Sequence, residues 1–196
     1  MNNVMSRSVR FLCLLILLPL LTGCGYNKMV QLDEAVTSQW AQVENVYQRR
    51  LDLIPNLVQT VKGYAAHEET TLTAVVEARS KATSTTIDAS KLDAATLSQF
   101  QESQSALSSA LSRLMVVVEQ YPDLKANQSF LELQAQLEGT ENRISTERRK
   151  FNEAAQTYNT YIRRFPQLLF AGMFGFEKRP YFAAEAAAQK APKVEF

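Results

Sequence analysis

The feature that most restricts how this chain can fold is a run of large apolar residues spaced by sevens. Phe130, Leu137, Ile144, Phe151, Tyr158 and Phe165 stand at six successive heptad positions. At 1.5 Å per residue, this holds one face of an α-helix in the same direction for roughly 50 Å. One helix cannot bury such a stripe, so other helices must cover it, and a sustained repeat of seven asks them to cross at shallow angles. The segment is expected over about 124–164, with Pro166 closing it. No stretch shows the two-residue alternation of a half-buried strand.

Three more segments carry matching stripes. The first is expected over 27–52, with Met29, Val36, Trp40, Val43, Tyr47 and Ile54 on one face. Pro55 is expected to end it, because the residue before a proline avoids helical backbone, and to serve in the first turn of the next helix. The second covers 56–83, with Leu57, Val61, Ala65, Leu72, Val75 and Ala82. Residues 83–90 are rich in side chains that bond their own backbone, and read as a loop. The third covers 93–119, with Leu97, Phe100, Leu107, Leu111, Leu114 and Val118, then Tyr121; Gln104 is its polar intruder. Tyr121-Pro122-Asp123 reads as a turn. Six glycines and six prolines in 196 residues leave few breakers. The expectation is an all-α fold, an antiparallel up-and-down four-helix bundle with long helices.

The N-terminus reads as an address. Arg7 and Arg10 precede an apolar run, Phe11 to Leu21, broken by Pro19. Its length suits a signal-peptide core and falls short of the roughly 20 residues that span a bilayer. Leu21-Thr22-Gly23-Cys24 follows, with the pattern of a lipobox: an aliphatic residue, two small ones, then the cysteine that receives the lipid. Residues 1–23 are therefore expected to be removed as a signal peptide. Cys24 would take a diacylglycerol and the freed amine a further chain such as palmitate, enough for a stable anchor. The competing reading is a single-pass anchor. By resemblance to Gram-negative lipoproteins, Asp after the cysteine would hold the protein at the inner membrane, and Gly25 points to the outer one. The chain would face the periplasm or the exterior.

Twenty-one basic and 20 acidic residues give a net charge of +1. Loss of Arg7 and Arg10 leaves 19 against 20, a net −1. Nucleic acid is not an expected partner, since no basic field is available to collect phosphates. Cys13 leaves with the signal, so Cys24 has no disulfide partner.

Several blocks resemble the signature of the LemA family. They are Tyr26-Asn27, Leu32-Asp33-Glu34, Trp40, Gln48-Arg49-Arg50 and Asp52-Leu53-Ile54-Pro55-Asn56-Leu57-Val58. Then come Val61-Lys62-Gly63-Tyr64 with His67-Glu68, Glu119-Gln120-Tyr121-Pro122-Asp123-Leu124-Lys125-Ala126-Asn127, and Leu137-Glu138-Gly139-Thr140-Glu141-Asn142-Arg143-Ile144. The last are Phe151-Asn152, Tyr158-Asn159, Ile162-Arg163, Phe165-Pro166 and Phe174-Gly175-Phe176. The resemblance covers nearly all of the chain after residue 24. It implies an antiparallel four-helix bundle outside the cytoplasm, tethered at its N-terminus, and no settled biochemical role. Many members use an N-terminal transmembrane helix, from which the lipobox departs.

No catalytic set, metal site or cofactor is expected. His67 is the one histidine, and beside Glu68 and Glu69 it reads as a solvated helix face. A histidine-based metal site needs several placed ligands, and a nucleophile needs an adjacent base. The heptad count does place polar residues at or near inward positions: Asp33, Arg50, Glu68, Arg79 and Gln104, with Glu138, Glu141, Asn142, Arg143, Arg148 and Asn152 on the fourth segment. These form an internal salt-bridge and amide network, or a polar pocket for a small charged ligand or metal ion, or simply face outward. The domain expected over 24–166 is the bundle. The remainder, 167–196, is expected as an aromatic cap and loose tail in which Phe170, Phe174, Phe176, Tyr181 and Phe182 either fold onto the bundle or form a patch for a partner or bilayer.

The leading functional expectation is a noncatalytic interaction or scaffold module of the cell envelope, bound to the membrane through Cys24 and contacting other envelope proteins. The alternative is an envelope ligand-binding protein or hydrolase using the interior polar cluster.

Overall fold

The computed structural model describes residues 2–85, 87–89 and 92–183, with side chains from residue 25 onward. The side chains of the lipobox, Cys24 included, and the tail 184–196 lie outside what is described. Among those described, the fold is all-helical: α1 (Asn2–Tyr64), α2 (Glu69–Ser84), α3 (Ala94–Val118), α4 (Pro122–Lys125), α5 (Gln128–Ile162) and α6 (Gln167–Ala171).

The expected stripes are the core. Met29, Val36, Trp40, Val43, Tyr47, Ile54, Leu57 and Val61 of α1 are buried, as are Leu72, Val75 and Ala82 of α2. On α3 the buried set includes Leu97, Phe100, Leu107, Leu111, Leu114 and Val118, with Gln104 among them. Phe130, Ile144, Phe151 and Tyr158 are buried on α5. Partners rise along α1 as they fall along α5: Trp40 meets Phe151, Arg50 meets Glu141, and Tyr64 meets Asn127.

Several helix boundaries differ from expectation, and α1 already begins at Asn2, upstream of the expected residue 27. Pro55 does not end the first helix, which continues to Tyr64. A mid-helix proline normally orphans the carbonyl four residues back. Here Arg79 of α2 reaches across and its Nε donates to the Leu51 carbonyl at 2.9 Å. The reversal into α2 falls instead at residues 65–68, where Glu68 N–H bonds the Ala65 carbonyl. Residues 122–125 form a helical turn, with Pro122 in its first turn. The fourth segment begins only at Gln128, because Asn127 caps it by accepting from Phe130 N–H at 3.0 Å. The heptad stripe also stops short: α5 ends at Ile162, the helical phase is lost there, and Phe165 is exposed. The third segment starts as expected, on an Asp93–Thr96 capping box.

The interior divides into two apolar blocks. One joins Met29–Tyr47 of α1 with Leu97, Phe100 and the Ile144–Ile162 half of α5. The other joins Leu51–Val61 of α1 and Ala65 with α2, the Leu107–Val118 half of α3, Leu124 and Phe130. At 16 residues, α2 is about 24 Å long and reaches only the second block. In the first block Ile87 and Leu92 of the α2–α3 connection and Phe182 take the place a longer α2 would have filled.

Candidate functional site

Between the two blocks lies a belt of buried polar side chains: Arg50, Ser103, Gln104 and Thr140. Arg50 is 5% exposed. Its Nη1 lies 3.2 Å from a Glu141 carboxylate oxygen whose side chain is half exposed, and its Nη2 donates to Ser108 Oγ at 2.7 Å. Ser103 and Thr140 turn their hydroxyls back to backbone carbonyls. Gln104 Oε1 is buried and accepts no hydrogen bond among the described residues.

The other candidates lie at separate heights. Glu68, at the α1–α2 reversal, accepts from the Tyr121 hydroxyl at 2.9 Å, and this bond pushes the Tyr121 pKa above the ordinary phenol value. His67 is exposed. Arg79 serves the Leu51 carbonyl. Asp33 sits at the opposite end of the fold, in a bidentate pair with Arg179: Nε to Oδ1 at 2.9 Å and Nη2 to Oδ2 at 3.0 Å. Glu138, Asn142 and Arg143 were expected near the interior and are exposed, because Thr140 and Ile144 take the inward positions of that turn. Arg143 lines a shallow groove of about 410 Å³ with Gln42, Asn45, Arg49 and Glu147. The structure thus brings Arg50 to Glu141 and leaves Asp33, Glu68, Arg79 and Arg143 apart. Among the described residues, no group of three or more His, Cys, Asp or Glu is placed to share a metal ion.

Sequence reasoning missed the device that organises the C-terminal segment. Residues 176–183 run as an extended strap along α5. The side-chain amide of Asn159 pairs with the Arg179 backbone, accepting from its N–H at 2.9 Å and donating to its carbonyl at 2.8 Å. Asn152 does the same for Phe182, at 2.8 and 3.1 Å. The spacing explains the match. Two helical turns separate the asparagines by about 10.5 Å, and three extended residues cover about 10 Å. Gln101 of α3 and Arg148 of α5 then donate to the Ala183 carbonyl at 3.3 and 2.9 Å. Two amides seven residues apart, each just after a heptad aromatic, were the signal available in the sequence.

The aromatic residues of this region separate accordingly. Phe182 is in the core, stacked on Trp40 with centroids 6.0 Å apart and edge-on to Phe151 at 5.4 Å. Arg148 lies over its ring at 5.0 Å. Phe182 is therefore not part of a surface patch; the asparagine pairs carry its backbone inward. Tyr158 lies beneath the strap, and its hydroxyl is pushed up to about 12, chiefly by burial and then by Asp33. Phe174 and Phe176 meet Tyr26 edge-on at 5.2 and 5.7 Å. Phe170 is half-buried and Tyr181 is exposed. Gly175, at φ 75°, turns the chain from α6 into the strap, a backbone that side chains resist. A groove of about 940 Å³ opens where the strap ends, lined by Glu141, Asn142, Ser145, Arg148 and Phe182 among others.

The fold and its polar network thus define an all-helical protein whose α1–α5 pair is latched by a C-terminal strap. The LemA family sequence profile matches residues 39–196, and the chain belongs to the LemA family. It is similar to the magnetosome protein MamQ 2 of Paramagnetospirillum magneticum, at 28% identity over 83% of this chain and 66% of that protein. Magnetosome protein MamQ of Magnetospirillum gryphiswaldense is 27% identical over the same shares. Protein LemA of Metamycoplasma hominis is 25% identical over 71% of this chain and 60% of its own length. The chain therefore spans 66% of the length of these MamQ proteins and 60% of that of the LemA protein.

Proposed function

We propose that this chain is a membrane-tethered, extracytoplasmic protein of the bacterial envelope that acts as a noncatalytic interaction or scaffold module. In this reading Cys24 carries the lipid, Gly25 directs the chain to the outer membrane, and α1, α2, α3 and α5 form an antiparallel up-and-down four-helix bundle. The observation that carries the reading is the dispersal of the polar side chains. A ligand site or hydrolase built on the interior cluster requires Asp33, Arg50, Glu68 and Arg143 around one solvent-open cavity. They stand instead at four places, and Asp33, Arg50 and Glu68 are each engaged by a structural partner. Bonds of this kind fix helix register.

From residue 25 onward no helix of the structure is long and apolar enough to cross a membrane. The test compares wild type with Cys24→Ala by membrane fractionation and intact mass, followed by crosslinked capture from whole membranes. The reading expects acyl mass and signal cleavage in the wild type alone, and a recurrent envelope protein in the crosslinked fraction. Two uncleaved, membrane-bound forms would refute the lipid anchor. A chain that is always recovered alone would refute the module.

A further inference from the structure

The segment joining α5 to the strap exposes an unusual set of side chains. Phe165 is 80% exposed, Leu168 58%, Leu169 61% and Met173 76%. Leu168 and Leu169 sit on the short helix α6, Phe165 precedes it by two residues, and Met173 lies in the turn that follows it. Backbone bonds hold the turns on either side of α6: Leu168 N–H bonds the Arg164 carbonyl at 2.8 Å and Phe174 N–H bonds the Phe170 carbonyl at 3.0 Å. The inward residues explain why this face is turned out. Ala171 is buried in the first apolar block, and the Gln167 side chain lies against Gly25, its Cγ 3.9 Å from where a Cβ would stand. The segment is amphipathic, with its apolar side toward solvent.

Its location says what that side meets. Phe174 and Phe176 pack on Tyr26, and Gln167 packs on Gly25, so the patch lies at the height where α1 follows Cys24 and the apolar run 11–21. Val116, exposed near the C-terminus of α3, belongs to the far end of the fold, where α1 reaches Tyr64, about 55 Å along the helix from Tyr26. The charge is also suitable. Residues 163–178 carry Arg163, Arg164 and Lys178 against the single acidic Glu177. An apolar face rimmed by basic residues favours the interface of an anionic bilayer, where such a face sinks a few ångströms below the headgroups.

We propose that Phe165, Leu168, Leu169 and Met173 form a foot that inserts into the interface of the membrane to which the N-terminus is tethered. The foot rests on the tethered reading above and adds a second contact to it. With the attachment at Cys24 alone the chain could tilt about that point. With the foot seated beside the anchor it stands upright, and the α2–α3 and α4 end is held away from the lipid.

The test uses the full chain, reconstituted through its own anchor into phosphatidylethanolamine–phosphatidylglycerol vesicles doped with phosphatidylcholine brominated high on its acyl chains. Trp40 is 1% exposed and gives an unquenched background. A Leu169→Trp variant is expected to emit to the blue of free indole and to lose most of its added emission to the brominated lipid. A Val116→Trp variant is expected to lose none. Adding Leu168→Glu and Met173→Glu to the Leu169→Trp chain should abolish the quenching while the chain still floats with the vesicles. If the Leu169→Trp chain floats and is unquenched, the foot is wrong and the tether stands. A blue-shifted but unquenched signal would assign the patch to a protein contact and likewise overturn the foot. A chain that does not float at all removes the tether, and the foot with it.

Discussion

The continuation of α1 through Pro55 offers a quantitative test of how the fold is held. Proline leaves the Leu51 carbonyl without its helical donor, and Leu51 is 4% exposed, so water is a poor substitute. Arg79 supplies the missing bond at 2.9 Å. Arg79→Met keeps most of the aliphatic stem and removes the donor. A buried acceptor left unmet costs about 1–3 kcal/mol, and a bond to a charged donor is worth toward the upper part of that range. The expected loss is about 2 kcal/mol, or about 4–8 °C in Tm for a chain of this size. Pro55→Ala restores a backbone N–H that satisfies Leu51 from within α1. It should stabilise the protein by itself, since proline inside a helix costs up to about 3 kcal/mol relative to alanine. In that background Arg79→Met should cost no more than about 0.5 kcal/mol, because the carbonyl is already paired. The double-mutant cycle is measured by urea unfolding of the four purified proteins, followed by helical circular dichroism and Trp40 fluorescence. A coupling of roughly 1.5 kcal/mol exceeds the scatter of about 0.5 kcal/mol expected of independent sites. Equal costs of Arg79→Met in both backgrounds would refute the reasoning, and the bond would then be incidental to the helix.

Other perturbations follow from the same contacts. Glu141→Ala should destabilise by toward about 3 kcal/mol, because it strands the buried Arg50 charge, whereas Arg50→Met should cost only about 1 kcal/mol, because the half-exposed Glu141 returns to water; equal losses in urea melts would contradict this ordering. Phe182→Ala should cost about 3–5 kcal/mol and expose the strap to trypsin at Arg179, with the cleavage rate as readout; an unchanged rate would mean the strap is held without the ring. Two carboxylates should show opposite pH behaviour. Glu147 is held below the ordinary value of 4.5, first by Lys150 and then by Gln39, so its stabilisation is full above pH 4.5 and fades as pH falls through its lower folded value. Glu44 is raised by burial, which the Trp40 indole N–H offsets in part from outside ordinary hydrogen-bond geometry; its preference for the folded state exists below pH 4.5 and is lost as pH rises through its higher folded value. Glu147→Gln should therefore weaken the protein at neutral pH and Glu44→Gln strengthen it, with both differences vanishing toward acid pH in Tm-versus-pH profiles.

What could be read in advance follows the distinction between periodic and pairwise information. The stripes of α1, α2, α3 and α5 repeat many times over, so Met29 through Val61 and Phe130 through Tyr158 identify their own inward faces by redundancy. The end of α1 is set by a single event: whether one distant arginine reaches the Leu51 carbonyl decides if Pro55 breaks the helix. No local rule contains Arg79. Polar positions failed for a related reason. A heptad count places Glu138, Asn142 and Arg143 within a turn of inward residues, but a few tens of degrees of rotation separate the seam from the solvent, and Thr140 and Ile144 take the seam. The strap shows the limit most clearly. Asn152 and Asn159 look like two more amides on a helix until the residues at 179 and 182 arrive in extended form, and only then do their side chains become a measured template for backbone. The sequence carried the spacing of seven without the partner that gives it meaning. The same logic explains the short α2. Its 16 residues cover only the second apolar block, and what closes the first is assembled from Ile87, Leu92 and Phe182, pieces that lack helical periodicity and were therefore invisible to a search for it.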